Sequence, residues 1–115
     1  LEISIGITSN TSTNYRYMIF LVEDGISDKD GYIYNNVVRD ILTRTIVGDK
    51  INDNDPLIVG AETTAMTTTT LSNEWIASNM RVVVASLISL DDGYSWTIDN
   101  VNECKVGESV SYLYE

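Results

Sequence analysis

The segment spanning residues 17–48, YMIFLVEDGISDKDGYIYNNVVRDILTRTIVG, constrains the fold more than any other stretch of this chain. It opens inside a nearly continuous aromatic and aliphatic run, residues 15–23, which reads as a central strand covered on both faces. An acidic loop containing two glycines follows at residues 24–31. Asn35 or Asn36 then serves as an N-cap, because a short side-chain oxygen accepts from the first free helical amides. Val37, Val38, Ile41 and Leu42 fall on one stripe at helical spacing, while Arg39, Asp40 and Arg44 face away. Gly48 stands where a left-handed C-cap is wanted. The spacing predicts one short α-helix at about residues 36–46.

Everything else reads as strand and turn. Residues 1–8 alternate strictly, with Leu1, Ile3, Ile5 and Ile7 on one face and Glu2, Ser4 and Thr8 on the other, the pattern of a half-buried strand. Residues 57–71 are rich in threonine, whose β-branched side chain suits a pleated surface. Residues 72–79 make a corner or a single helical turn, with Trp75 as a plug between layers. Residues 80–90 are the strongest apolar run and a core strand. Asp91-Asp92-Gly93 makes a hairpin turn. Two further strands, 94–99 and 101–106, precede a last one at 110–114, and Val83 and Trp96 are expected to be buried. About seven strands with turn signals between them and one short helix predict an antiparallel β-sandwich, immunoglobulin-like in layout.

At 115 residues the chain is expected to form one domain. Seven Lys and Arg against seventeen Asp and Glu leave a net charge of −10. That field repels phosphate backbones and anionic lipid headgroups, so nucleic acid and membrane surfaces are not expected as partners. The chain has no histidine, which removes the usual general base and the usual zinc ligand together. Cys104 is the single cysteine, so no internal disulfide can form, and it reads as a small buried hydrophobe. No apolar run approaches the ~20 residues that span a bilayer, and no signal-peptide pattern opens the chain. A start at Leu1 without Met is expected of a processed or trimmed piece of a longer protein.

Four segments, taken in order, carry a resemblance. LVEDGI at residues 21–26 is followed by YNNVVRDILT at 34–43, then by Trp75 and NMRVVVASL at 79–87, then by YSWTIDNVNECKVGE at 94–108. Their order and spacing resemble the Omp-twenty-eight-related outer-membrane proteins, exported proteins of Gram-negative gut and mouth anaerobes. The resemblance implies an exported, cell-envelope-associated protein, a lipoprotein whose anchor lies outside this chain. It carries over no catalytic residue. Relatives often have a histidine at the helix start, where this chain reads Tyr34-Asn35-Asn36. They also often carry an upstream thioredoxin-like portion with a Cys-x-x-Cys pair, which is absent here.

Candidate chemistry concentrates in the acidic loops. Calcium takes six to eight oxygens, and alternating Asp and Asn can present several to one point. The candidate ligands are Asp28 and Asp30 beside Asp24, Asp53 and Asp55 beside Asp49, Asn52 and Asn54, and the pair Asp91 and Asp92. The bland alternative is that these carboxylates are solvated turn formers. Tyr32 and Tyr34 are the aromatics expected to be exposed, and they fit a glycan or protein partner at the cell envelope. Catalysis is not expected: there is no placed carboxylate pair, no phosphate-binding glycine loop and no histidine base for Cys104. The sequence predicts a non-catalytic interaction or adhesion module, with calcium or glycan binding in the acidic loops as the alternative.

Overall fold

The computed structural model describes residues 1–7, 14–45, 48–50, 62–89 and 95–110. Among them the strands, in chain order, are β1 (Glu2–Ile7), β2 (Asn14–Glu23), β3 (Ile26–Ser27), β4 (Ile33–Tyr34), β5 (Val37–Ile41), β6 (Asp49–Lys50), β7 (Thr63–Thr68), β8 (Met80–Ser89) and β9 (Thr97–Lys105). The only helical element among the described residues is a 3-10 turn, Ala77–Asn79, entering β8. All strand pairs are antiparallel. The expected antiparallel, mainly β class is therefore what the chain adopts.

The main sheet runs β5-β2-β8-β9, and β6 shares with β5 one edge of β2. A separate ribbon, β1-β7, packs across it. Ile3 and Ile5 of β1 enter one buried cluster with Tyr17, Ile19 and Leu21 of β2 and Met80 and Val82 of β8. Trp75, half-buried, packs against the edge of this cluster, as expected of a plug at the corner. The opposite face of the sheet is uneven. Val22, Ala85 and Leu87 are buried there, while Val38, Ile41, Ile98 and Val101 stay exposed.

The predicted helix at residues 36–46 is not formed, and its first half is strand β5. Asn36 turns the chain with φ +58°, and β-branched Val37, Val38 and Ile41 favour the pleat that follows. The helical spacing has a specific origin. The register between β2 and β5 shifts between Leu21 and Val22, leaving Arg39 as an extra residue. A bulge reverses the alternation, so Val38 and Ile41 point the same way although three residues apart. That spacing imitates one helical turn. Gly48 does have the positive φ expected of it, +85°, but it closes a turn rather than a helix, donating its N–H to Thr45 O at 3.0 Å.

A second bulge corrects another expectation. Residues 94–99 and 101–106 read as two strands because the alternation breaks between them. They belong largely to one strand, β9, in which Asp99 is the extra residue where the register with β8 shifts between Ser86 and Leu87. Trp96 precedes β9 and is half-buried outside the core, with the Arg16 guanidinium 5.1 Å from its ring centroid. Val83 is half-buried too, because its register partner Phe20 lies on the face opposite the main cluster. The turn at Asp91-Asp92-Gly93 lies outside the described residues, as does the expected last strand except Val110.

Candidate interaction cleft

Because β1 and β7 cover only part of the sheet, a cleft of about 740 Å³ opens between β1 and β9. All residues of β1 line it, inward-facing and outward-facing alike, whereas β7 and its approach contribute only Thr64 and Glu62. A strand that lines a cleft with both of its faces presents its edge, so the cleft runs along the side of β1 away from β7. β9 likewise contributes residues of both faces, from Asp99 to Lys105. From β8 come only Val82, Val84 and Ser86, side chains of a single face, and these form the floor. The cleft thus has two strand edges for walls, an apolar floor, and a rim on which Glu2, Glu62, Asp99, Glu103 and Glu108 outnumber Lys105.

The backbone phase of each wall follows from its hydrogen bonds. The Leu1 ammonium donates to Thr69 O at 2.8 Å and the Thr69 N–H donates to Leu1 O at 2.9 Å. In an antiparallel ladder such a bonded pair recurs every second residue. With the observed register, Ile3, Ile5 and Ile7 therefore turn their amides to β7, and Glu2, Ser4 and Gly6 turn theirs to the cleft. On β9, Val106 donates to Met80 O at 3.1 Å, so the amides of Val101 and Glu103 point outward. Both are occupied locally: Val101 donates to Asn100 Oδ1 and Glu103 to Asn102 Oδ1, each at 2.9 Å. The Lys105 carbonyl is occupied as well, by the Glu108 N–H at 3.0 Å. Cys104 lines the cleft half-buried, its thiol donating to Glu108 O at 2.8 Å.

The acidic candidates lie away from this cleft. Asp28 organises the β3-β4 hairpin: its Oδ1 accepts from the amides of Asp30 at 2.9 Å and Tyr32 at 3.0 Å, and its Oδ2 from the Tyr34 hydroxyl at 2.9 Å. Desolvation pushes the Asp28 carboxyl up, but these donors and the Gly31 amide outweigh it and hold it below its ordinary value. Asp30 is exposed on the same loop. Asp49 accepts from the Arg44 amide at 2.9 Å. Asp53, Asp55, Asp91 and Asp92 lie outside the described residues. Among the described residues no three acidic or cysteine side chains converge on one point. Tyr32 and Tyr34 are exposed as expected, and Tyr32 and Ile33 are each 67% accessible.

Asp24 and Arg81 close the sheet at one end. Arg81 grips both oxygens of Asp24, at 3.0 and 3.1 Å, and reaches Glu103 at 2.7 Å; its guanidinium also donates to Asn36 Oδ1. The Arg81 hydrogen bonds, with the Asn36 amide, hold the Asp24 carboxyl down to about 2 from an ordinary 3.8. A carboxyl lowered in the fold contributes stability above its ordinary pKa and loses that contribution as pH falls through the folded value. The thermal midpoint of the wild type should therefore drop more steeply between about pH 4 and about pH 2 than that of Asp24→Asn. Parallel curves would show that this pair does not couple to folding.

None of the cleft was foreseen from sequence. Strand β1 was legible by its alternation, but which edge stays open depends on partners far along the chain. The one local signal is the spacing of Asn100 and Asn102 in DNVNECK, two side chains able to cap their own strand edge. Set against family models, curated proteins and solved structures, the chain finds no match.

Proposed function

We propose that this chain is a non-catalytic interaction module of an exported, cell-envelope-associated protein, and that it meets a protein partner in the cleft between β1 and β9. The observation that carries the reading is a cleft open along the whole of β1, with an apolar floor and an acidic rim. Its volume falls within the roughly 300–1,000 Å³ of ligand-binding clefts. The envelope location rests on the resemblance to the Omp-twenty-eight-related proteins, with membrane association through an anchor outside this chain. Alkylating Cys104 with a bulky maleimide would plug the cleft without changing the sequence. Beads coated with the untreated domain should retain a protein from a solubilised envelope fraction, and alkylation at Cys104 should cut that retention at least about tenfold. The same maleimide on Ile76→Cys in a Cys104→Ser background, at an exposed corner, should leave it intact. Equal retention in both cases would sink the reading.

A second reading is favoured by the hairpin bearing Tyr32 and Tyr34, exposed aromatics beside the ordered carboxylate of Asp28. Here the acidic loops bind calcium, or the tyrosines stack on a glycan. A ligand at 100 times its dissociation constant adds ~2.7 kcal/mol, a shift of several degrees for a domain of this size. A melt raised by millimolar calcium and lowered again by chelator would favour the loops. Coincident melts, with no binding to a polysaccharide array, would leave the cleft.

A further inference from the structure

We infer that the occupant of the cleft is an extended segment of another protein that adds to the edge of β1 as an antiparallel or parallel strand, with apolar side chains at alternate positions and Lys or Arg between them. The inference rests on the cleft reading above and names the partner's chemistry. An unpaired strand edge is a template for another chain, and folded proteins usually blunt such edges with lysine, proline, bulges or a covering element. The two walls of this cleft differ in that respect. β9 is blunted by its bulge at Asp99 and by Asn100 and Asn102, which occupy its outward amides. β1, of sequence EISIGI, has no proline, lysine or bulge, and no strand among the described residues pairs with its outward amides at Glu2, Ser4 and Gly6.

A strand seated there would turn alternate side chains toward Val82 and Val84 and the others toward the rim, the usual division of labour in strand addition. The six residues of β1 extend about 20 Å, room for a guest strand of similar length. The rim selects the guest's polar face. Glu2, Glu62 and Glu108 are exposed along it and outnumber Lys105 and the Leu1 ammonium, which is held on Thr69 O, in a chain of net charge −10. Cationic side chains meet that rim favourably and anionic ones are repelled.

The test uses the whole chain, isotope-labelled, with the peptide acetyl-Lys-Val-Lys-Val-Lys-Val-Lys-amide as probe and amide hydrogen exchange as readout. Adding the peptide should slow exchange of the Glu2, Ser4 and Gly6 amides at least about tenfold, while Ile3 and Ile5, already bonded to β7, change little. Ser4→Pro removes one outward donor and leaves the β1-β7 ladder alone, so it should abolish that protection at an unchanged melting temperature. Ser4→Ala should retain it, and the Glu-Val analogue of the peptide should not bind. If the peptide shields Cys104 from alkylation yet leaves the β1 amides unprotected, strand addition is wrong and the cleft reading stands. If it neither shields Cys104 nor protects β1, or if the Glu-Val analogue binds equally, the proposed partner chemistry is wrong. Protection of β1 that rises with protein concentration alone would make the occupant a second copy and overturn the proposal.

Discussion

Replacing Gly48 with alanine is expected to lower stability by about 2–5 kcal/mol, the combined size of a left-handed backbone penalty and an overpacking strain. Gly48 has φ +85°, and a Cβ built there would stand 2.3 Å from the backbone oxygen of Tyr17. No real Cβ contact is that short, and the opposing atom belongs to the main chain of β2, which cannot swing aside as a side chain can. The carbonyl of Gly48 is also held in place, accepting from Arg16 at 2.8 Å and from the Thr45 hydroxyl. The turn therefore has to lift off the sheet, and β6 with it, since Asp49 and Lys50 pair with Tyr17 and Arg16. Chemical denaturation of Gly48→Ala beside Gly31→Ala gives the comparison. Both glycines have positive φ, but nothing lies within 4 Å of a Cβ at Gly31. Equal losses would mean that only the backbone angle matters and that the close approach to β2 is incidental.

The other large effect is expected at Ile19. It is fully buried at the centre of β2, opposite Val84 of β8, in the cluster that the ribbon residues Ile3 and Ile5 close. Truncation to alanine removes its transfer free energy and leaves a cavity that the surrounding strands cannot close, a cost of about 2–5 kcal/mol. Ile98→Ala is the control: at 61% exposure it should change stability by about 0.5 kcal/mol or less. A loss at Ile19 no larger than that at Ile98 would show that the ribbon does not seal the sheet. The cleft would then be a product of loose packing and not a built feature. The core measurement thus also bears on the site.

The fold class was legible because strand signals are local. The alternation of Ile3, Ile5 and Ile7 and the apolar runs of β2 and β8 needed no tertiary context to be read. The errors cluster at the two bulges. At Arg39 an extra residue made a strand look helical, and at Asp99 an extra residue made one strand look like two. Periodicity carries no mark that separates a bulged strand from a helical turn over five residues, so these could be corrected only by the register against β2 and β8. Trp96 was misplaced for the same reason, since its apparent alternation with Ile98 runs up to the bulge. The acidic loops drew attention because their composition is conspicuous, yet Asp24, Asp28 and Asp49 are engaged by donors of the chain itself. The cleft went unread because an open edge is defined by a missing neighbour, and no residue of β1 encodes that.

The position of β2 at the heart of the sheet also sets a timetable. Its full-length partner is β8, and contacting residues such as Asp24 and Arg81 stand 57 positions apart in the chain. At the usual pace of synthesis, about 5–20 residues per second, roughly 3–11 seconds pass between the emergence of one and the other. For that interval β2 waits without its main partner, and among the described strands only the short pairings with β5 and β6 are open to it. Long-range pairing of this kind folds slowly and late. The domain is therefore most vulnerable as a newborn, in the seconds before Met80 appears, when helpers of folding have the most to do.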